Sequence, residues 1–203
     1  MLGLCLLLIP VALAISAPLC AALIALGHRL RTFDSGGVVG QVKEAPRRVP
    51  NTGGIAIFLA IAVPMLGVVL LAALVPQLFP SSALGTLSYV THKAELAFVL
   101  LGGMTLLHVM GVIDDRKPLR AWPKLVLQLV PAIAVPLLTD TRLLTLLDGH
   151  VGGAWLSIII TAMWFVVVTN AINFLDNMDG LAAGLSAIAA ASMLVITLEK
   201  SQW

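Results

Sequence analysis

Asn170-Ala171-Ile172-Asn173-Phe174-Leu175-Asp176-Asn177-Met178-Asp179-Gly180-Leu181 closes one long apolar run and opens the next. Asn170, Asn173, Asp176 and Asp179 recur at every third position in sequence that otherwise reads as membrane. Polar groups at membrane depth are costly, and they concentrate at functional sites. On an ideal helix a spacing of three drifts around the axis, whereas Asn170 and Asn177, seven apart, nearly align. The polar groups therefore wrap much of the helix unless its end tightens into a 3₁₀ turn. Capping by Asp176 or Asn177 accounts for one of them, not for four.

Composition sets the class. The 203 residues are 60% hydrophobic and 11% charged, with a mean hydropathy of +1.04. A soluble domain is nearer half apolar and about a quarter charged. The expectation is an all-α, polytopic integral membrane protein, residues 1–203 forming a single transmembrane domain. A net charge of +2 gives no argument for nucleic acid. Cys5 and Cys20 share the first apolar run, too far apart on one helix to bridge. Residues 1–27 carry no charge and are longer than a secretory signal's apolar core, so they read as a retained span, with a cleaved signal as the alternative.

Six apolar runs stand out, near 2–26, 54–78, 95–113, 122–138, 154–175 and 181–198; about 20 residues suffice to cross a bilayer. The fourth is short and holds Pro123, Pro131 and Pro136. Proline is tolerated in a membrane helix when neighbours satisfy the freed carbonyl. The alternative for this run is a re-entrant or interfacial segment.

The loops sort by charge. Arg29, Arg31, Lys43, Arg47 and Arg48 follow the first run; Arg116, Lys117, Arg120 and Lys124 follow the third. The other side holds Lys93, Arg142 and Lys200. Basic residues mark the cytoplasmic side, so the N-terminus is expected outside. Asp114-Asp115 and Asp176–Asp179 then both face the cytoplasm, provided that the fourth run spans.

Asp114 and Asp115 end the third run as Gly111-Val112-Ile113-Asp114-Asp115-Arg116-Lys117. Neighbours on a helix point about 100° apart, so two adjacent carboxylates serve two directions. Carboxylates at a span end suit Mg²⁺, a hard cation that shares its oxygen shell with substrate phosphates. The bland alternative is a solvated charged loop. The first loop, Lys43-Glu44-Ala45-Pro46-Arg47-Arg48-Val49-Pro50-Asn51-Thr52-Gly53-Gly54, suits an anionic ligand. Its alternative is anchoring to anionic lipid. His108 either lines the site or packs between helices.

Three of these segments, in order, resemble the polyprenyl-phosphate N-acetylhexosamine-1-phosphate transferases. They are Pro50-Asn51-Thr52-Gly53-Gly54-Ile55, Gly111–Asp115 with Lys124-Leu125 and Gln128, and Asn170–Gly184. The resemblance implies attack by a polyprenyl phosphate on a UDP-N-acetylhexosamine, release of UMP and a requirement for Mg²⁺. It implies that Asp114 and Asp115 engage metal or lipid phosphate. Asn173, Asp176 and Asp179 hold nucleotide, metal or both, with Asn170 a further candidate for substrate contact. Lys124, Lys43, Arg47 and Arg48 meet phosphates. All four aspartates are candidate catalytic and metal-binding residues.

The implied place is the inner (plasma) membrane with the site facing the cytoplasm, and a homodimer is the candidate assembly. The first motif looks more like the N-acetylglucosamine branch than the muramoyl-pentapeptide branch. Asn177 stands where the family commonly has glycine. Family members continue for several more helices, so the chain is expected to be the N-terminal part of a longer transferase, inactive by itself. Two rivals are a truncated lipid- or nucleotide-binding paralogue and an intramembrane prenyltransferase. Adjacent Asp114-Asp115 argues against the second, which spaces its aspartates more widely.

The charge bias predicts that a cysteine at position 117, in a cysteine-free background, is labelled from the cytoplasm, and one at position 150 from outside. Labelling of position 117 only from outside would reverse the topology.

Overall fold

The computed structural model describes residues 2–30, 52–75, 77, 84–176 and 180–199. Eight α-helices lie among them: α1 Leu2–Leu30, α2 Gly53–Leu74, α3 Leu84–His92, α4 Ala94–Arg116, α5 Ala121–Thr139, α6 Asp148–Val151, α7 Trp155–Leu175 and α8 Leu181–Glu199. No strand occurs among the described residues. All but α3 and α6 are long and apolar enough to cross a membrane. The chain is an all-α polytopic membrane protein.

The six apolar runs are the six long helices, with shifted ends. α1 continues past residue 26 to Leu30, and α2 stops at Leu74 rather than 78. α4 runs on through Asp114, Asp115 and Arg116, and the Lys117 amide still donates to Ile113 O at 2.8 Å. Charge ends an apolar run without ending a backbone ladder, so hydropathy placed this boundary early. Hydropathy also missed α3, which is only nine residues long.

The weak fourth run forms the full helix α5 despite its prolines. Pro123 lies in the first turn, where its missing N–H costs nothing. Pro131 and Pro136 fall on the packed side. Gln128, Pro131, Ala132, Val135 and Pro136 are all buried, at spacings of three and four that define one helical face.

That face packs against both neighbours. Against α4 the closest approach is at Gly103, where an added methyl would meet Pro131 Cβ at 2.8 Å. Near the other end Lys124 reaches Asp114, so α4 and α5 run antiparallel. Against α7, Gln128 meets Asn170, while the Leu143 amide just past α5 donates to Thr161 Oγ1 at 2.9 Å. α5 and α7 are therefore antiparallel too. The connection between them is clasped by Arg142, whose Nη1 donates to Asp148 Oδ2 at 2.6 Å and Ser157 Oγ at 3.0 Å.

The buried residues are mostly small. Ala56, Ala60, Val69 and Ala72 line α2, and Ser157, Thr161 and Ala162 line α7. Leu, Ile, Phe and Trp side chains are widely exposed. In lipid, large apolar side chains gain nothing by moving inward, and small residues let backbones approach. α2 is seated at its start by Thr52, whose hydroxyl reaches Leu23 O of α1 at 3.4 Å, and by Phe58, stacked on His108 of α4 with centroids 4.6 Å apart.

Gly103→Ala should destabilise the fold by about 1–3 kcal/mol, because the rigid Pro131 ring cannot yield to the new methyl. Gly102→Ala, with nothing within 4 Å of its methyl, should change stability little. Thermal unfolding in detergent compares them; equal melting points would refute the close packing of α4 on α5.

Candidate active site

Asp114 stands in the last turn of α4, half-buried, with both oxygens engaged. Lys124 Nζ lies 2.6 Å from Oδ2, and the Leu119 amide donates to Oδ1 at 2.8 Å. The two contacts fold the α4–α5 connection back on itself and bring the first turn of α5 to the end of α4. Asp115 is the next residue on α4, turned aside from Asp114 and exposed.

Asp176 is the C-cap of α7. Its amide donates to Ile172 O at 3.1 Å, and its side chain is exposed. The segment quoted at the outset is thus not one continuous helix. α7 ends at Leu175, and the chain re-enters a helix at Leu181 after Gly180, whose φ of +78° suits glycine. Asn173, one turn before the cap, is exposed. Asn170 Nδ2 donates to Gln128 Oε1 at 2.6 Å and to Val166 O, in its own helix, at 2.8 Å.

Because Lys124 and Gln128 sit one turn apart at the start of α5, the ends of α4 and α7 lie at the same end of the bundle. Asp114, Asp115, Asp176, Asn173 and Lys124 gather there. Lys43, Arg47, Arg48 and Asp179 lie outside the described residues, as does Asn177. His108 packs on Phe58 and faces Gly54, whose added methyl would lie 4.0 Å from its Cε1. Of the two roles considered for it, helix packing is the one with contacts. Gln128, quoted above only as part of a motif, is the residue whose place the sequence did not explain. A glutamine on the apolar face of a proline-bearing span was the available signal.

The electrostatics of this end run partly against helix stability. A helix C-terminus carries the negative end of the macrodipole and favours cations. Here the last turn of α4 holds Asp114 and Asp115, offset in part by Arg116 and the C-cap Lys117, and α7 is capped by Asp176. Lys124 sits in the first turn of α5, where an anion would be favoured. Two negative helix ends and their carboxylates thus converge on one region that a cation would stabilise. The donors are hard oxygens, which suit Mg²⁺. Among the described residues no three His, Cys, Asp or Glu side chains cluster closely enough to form a metal cage. That is compatible with a cation held by one or two carboxylates and completed by water or phosphate, the usual Mg²⁺ arrangement.

A family model for glycosyl transferase family 4 matches residues 97–203, more than half of the chain. The chain belongs to glycosyl transferase family 4. The matched part takes in both acidic helix ends and the whole of α5.

Among its relatives in Bacillus subtilis is a protein named as a probable undecaprenyl-phosphate N-acetylglucosaminyl 1-phosphate transferase, 31% identical over 74% of this chain and 37% of the relative. A decaprenyl-phosphate N-acetylglucosaminephosphotransferase of Mycolicibacterium smegmatis is 34% identical over 73% of this chain and 35% of its own length. A phospho-N-acetylmuramoyl-pentapeptide-transferase of Lactobacillus delbrueckii is 33% identical over 54% of this chain and 39% of its own length. The chain spans well under half the length of these three relatives. No solved structure matches it.

The Lys124–Asp114 pair is partly exposed, with about a third of each side chain open to solvent. A double-mutant cycle with Lys124→Met and Asp114→Asn should therefore return a coupling of no more than about 1 kcal/mol in thermal stability. A coupling of several kcal/mol would mean that the pair is a buried structural element rather than an accessible charge pair.

Proposed function

We propose that this protein transfers N-acetylhexosamine-1-phosphate, most simply N-acetylglucosamine-1-phosphate, from a UDP-sugar to a polyprenyl phosphate at the cytoplasmic face of the inner membrane. A phosphate oxygen of the lipid attacks the β-phosphorus of the UDP-sugar. The bond from that phosphorus to the bridging oxygen breaks, and UMP leaves with the oxygen. The product is a lipid-linked diphosphate sugar. The observation that carries this reading is the convergence of Asp114-Asp115 and Asp176 beside Lys124 at one end of the bundle, within the part matched by the family. The relatives' names supply the polyprenyl phosphate and the N-acetylglucosamine phosphate; the UDP donor is part of the proposal.

Phosphoryl transfer asks a protein mainly to position groups and balance charge. Asp115 and Asp176, exposed at the two helix ends, are the residues we assign to hold Mg²⁺, with Asp179 beside them in sequence. Mg²⁺ bound there would spread the negative charge of the diphosphate. Asp114 has a different part: it holds the Lys124 ammonium toward the site as a point charge for phosphate. Asn173, one turn inside Asp176, is placed to meet the nucleotide or sugar. Lys43, Arg47 and Arg48 add positive charge from the first loop, which leads into α2. The transfer needs no covalent intermediate on the protein.

The two relatives named for N-acetylglucosamine phosphate transfer align over about three-quarters of this chain, against about half for the pentapeptide transferase. This favours UDP-N-acetylglucosamine as donor. The native gene product in membranes, given polyprenyl phosphate, Mg²⁺ and radiolabelled UDP-N-acetylglucosamine, should release UMP and label the lipid. Asp115→Asn and Asp176→Asn should each lower turnover on the order of 100-fold, as loss of a charge-stabilising group at a reacting phosphate does. His92→Ala, on the other side, should not. Labelling only from UDP-muramoyl-pentapeptide would move the assignment to that branch, and unchanged turnover in both aspartate variants would remove the catalytic assignment.

A further inference from the structure

Gln128 is a buried amide, 7% exposed, on a helix face otherwise made of Pro131, Ala132, Val135 and Pro136. Its Oε1 takes one N–H of Asn170, and the second goes to Val166 O of α7 itself. The Asn170 amide is thereby fixed in orientation, with no N–H left for a substrate. Four residues earlier on α5, on the same stripe, Lys124 holds Asp114 of α4.

We infer that Gln128 and Asn170 are positioning residues: their amide pair sets the axial register of α7 against α5, and so sets where Asp176 stands relative to Asp114 and Asp115. The inference rests on the transferase site proposed above. Between this pair and the Leu143–Thr161 bond just past α5, the facing stripes are small or smooth, with Ala132 and Val135 on one side and Ala162 on the other. Such a surface resists sliding weakly. A polar pair in an apolar interface is a well-attested way to specify register, because every other register leaves the buried Gln128 amide unpaired.

The distances agree with this role. From Gln128 outward to Lys124 is four residues, about 6 Å of helix rise; from Asn170 outward to Asp176 is six, about 9 Å. With the amides paired, Asp176 comes within about 3 Å of the level of Lys124 along the axis. A slip by one turn, about 5.4 Å, would shift Asp176 by that distance along α5 and so past Asp114 and Asp115, which Lys124 ties to α5. Interhelical amide bonds in membranes contribute modestly to stability. Loss of this one should therefore be felt at the site more than in the fold.

The test uses the protein in lipid nanodiscs, with Mn²⁺ as the probe, read by electron paramagnetic resonance beside thermal unfolding. Gln128→Leu and Asn170→Leu should each weaken Mn²⁺ binding about 10-fold or more, the usual effect of removing a residue that orients metal ligands, with little change in melting temperature. The reciprocal double variant Gln128→Asn with Asn170→Gln keeps the combined reach of the pair and should restore binding. Asp115→Asn and Asp176→Asn report on the site itself. If they abolish Mn²⁺ binding while Gln128→Leu leaves it unchanged, the positioning role is wrong and the site stands. If the unsubstituted protein binds no Mn²⁺, or the aspartate variants bind as it does, the metal site fails and this inference with it. A fall in melting temperature with intact binding would reduce the pair to a packing contact and overturn the inference.

Discussion

The structure depends on the placement of α5 between α4 and α7. One buried stripe, Gln128 to Pro136, serves both contacts, with Gly103 admitting the Pro131 ring on one side and small residues of α7 meeting it on the other. Membrane helices have little hydrophobic drive to associate, so close backbone approach and a few polar ties must hold them. Here the ties are Lys124–Asp114 and Gln128–Asn170, one turn apart on α5. Because α5 spans fully, α4 and α7 point the same way and their acidic ends meet at one end of the bundle. Had this proline-rich segment turned back, those ends would lie on opposite faces.

The charges there are costly as structure. Carboxylates sit at negative helix ends, and a lysine sits at a positive one. Proteins that violate local electrostatic preferences usually do so where function requires it. The same groups read well as a place for a divalent cation and phosphates, the polar arrangement that a family of sugar-phosphate transferases would need. The opposite end of α5 shows the contrast. There Arg142 pairs with Asp148 and Ser157, and the charge is used up in clasping a loop.

Much of this was legible in the sequence, because in a bilayer composition and length nearly dictate a helix. The six runs, the polar ends of α4 and α7 and the basic loop are visible as interruptions of apolar sequence. Helix ends were less legible. Asp114–Arg116 continue α4, since backbone hydrogen bonds ignore side-chain charge, while the Asn170–Leu181 segment breaks into cap, turn and new helix. Least legible was partner choice. Asn170 looks like another member of a polar strip, yet its amide turns to Gln128, 42 residues earlier. No periodicity announces such a pair, because it is fixed by the packing of two helices rather than by either helix alone.

The central claim, that the ends of α4 and α7 share one end of the bundle beside α5, is open to a direct distance measurement. Spin labels at positions 117 and 174, in a cysteine-free background in nanodiscs, would report it by pulsed electron paramagnetic resonance. Two helices on either side of a third lie at most about 20 Å apart, from interaxial spacings of 8–10 Å. The account predicts a single distance near or below that value, allowing for the labels' own reach. A distance of about 30 Å or more, the thickness of the hydrocarbon core, would put the two acidic ends on opposite faces and contradict it.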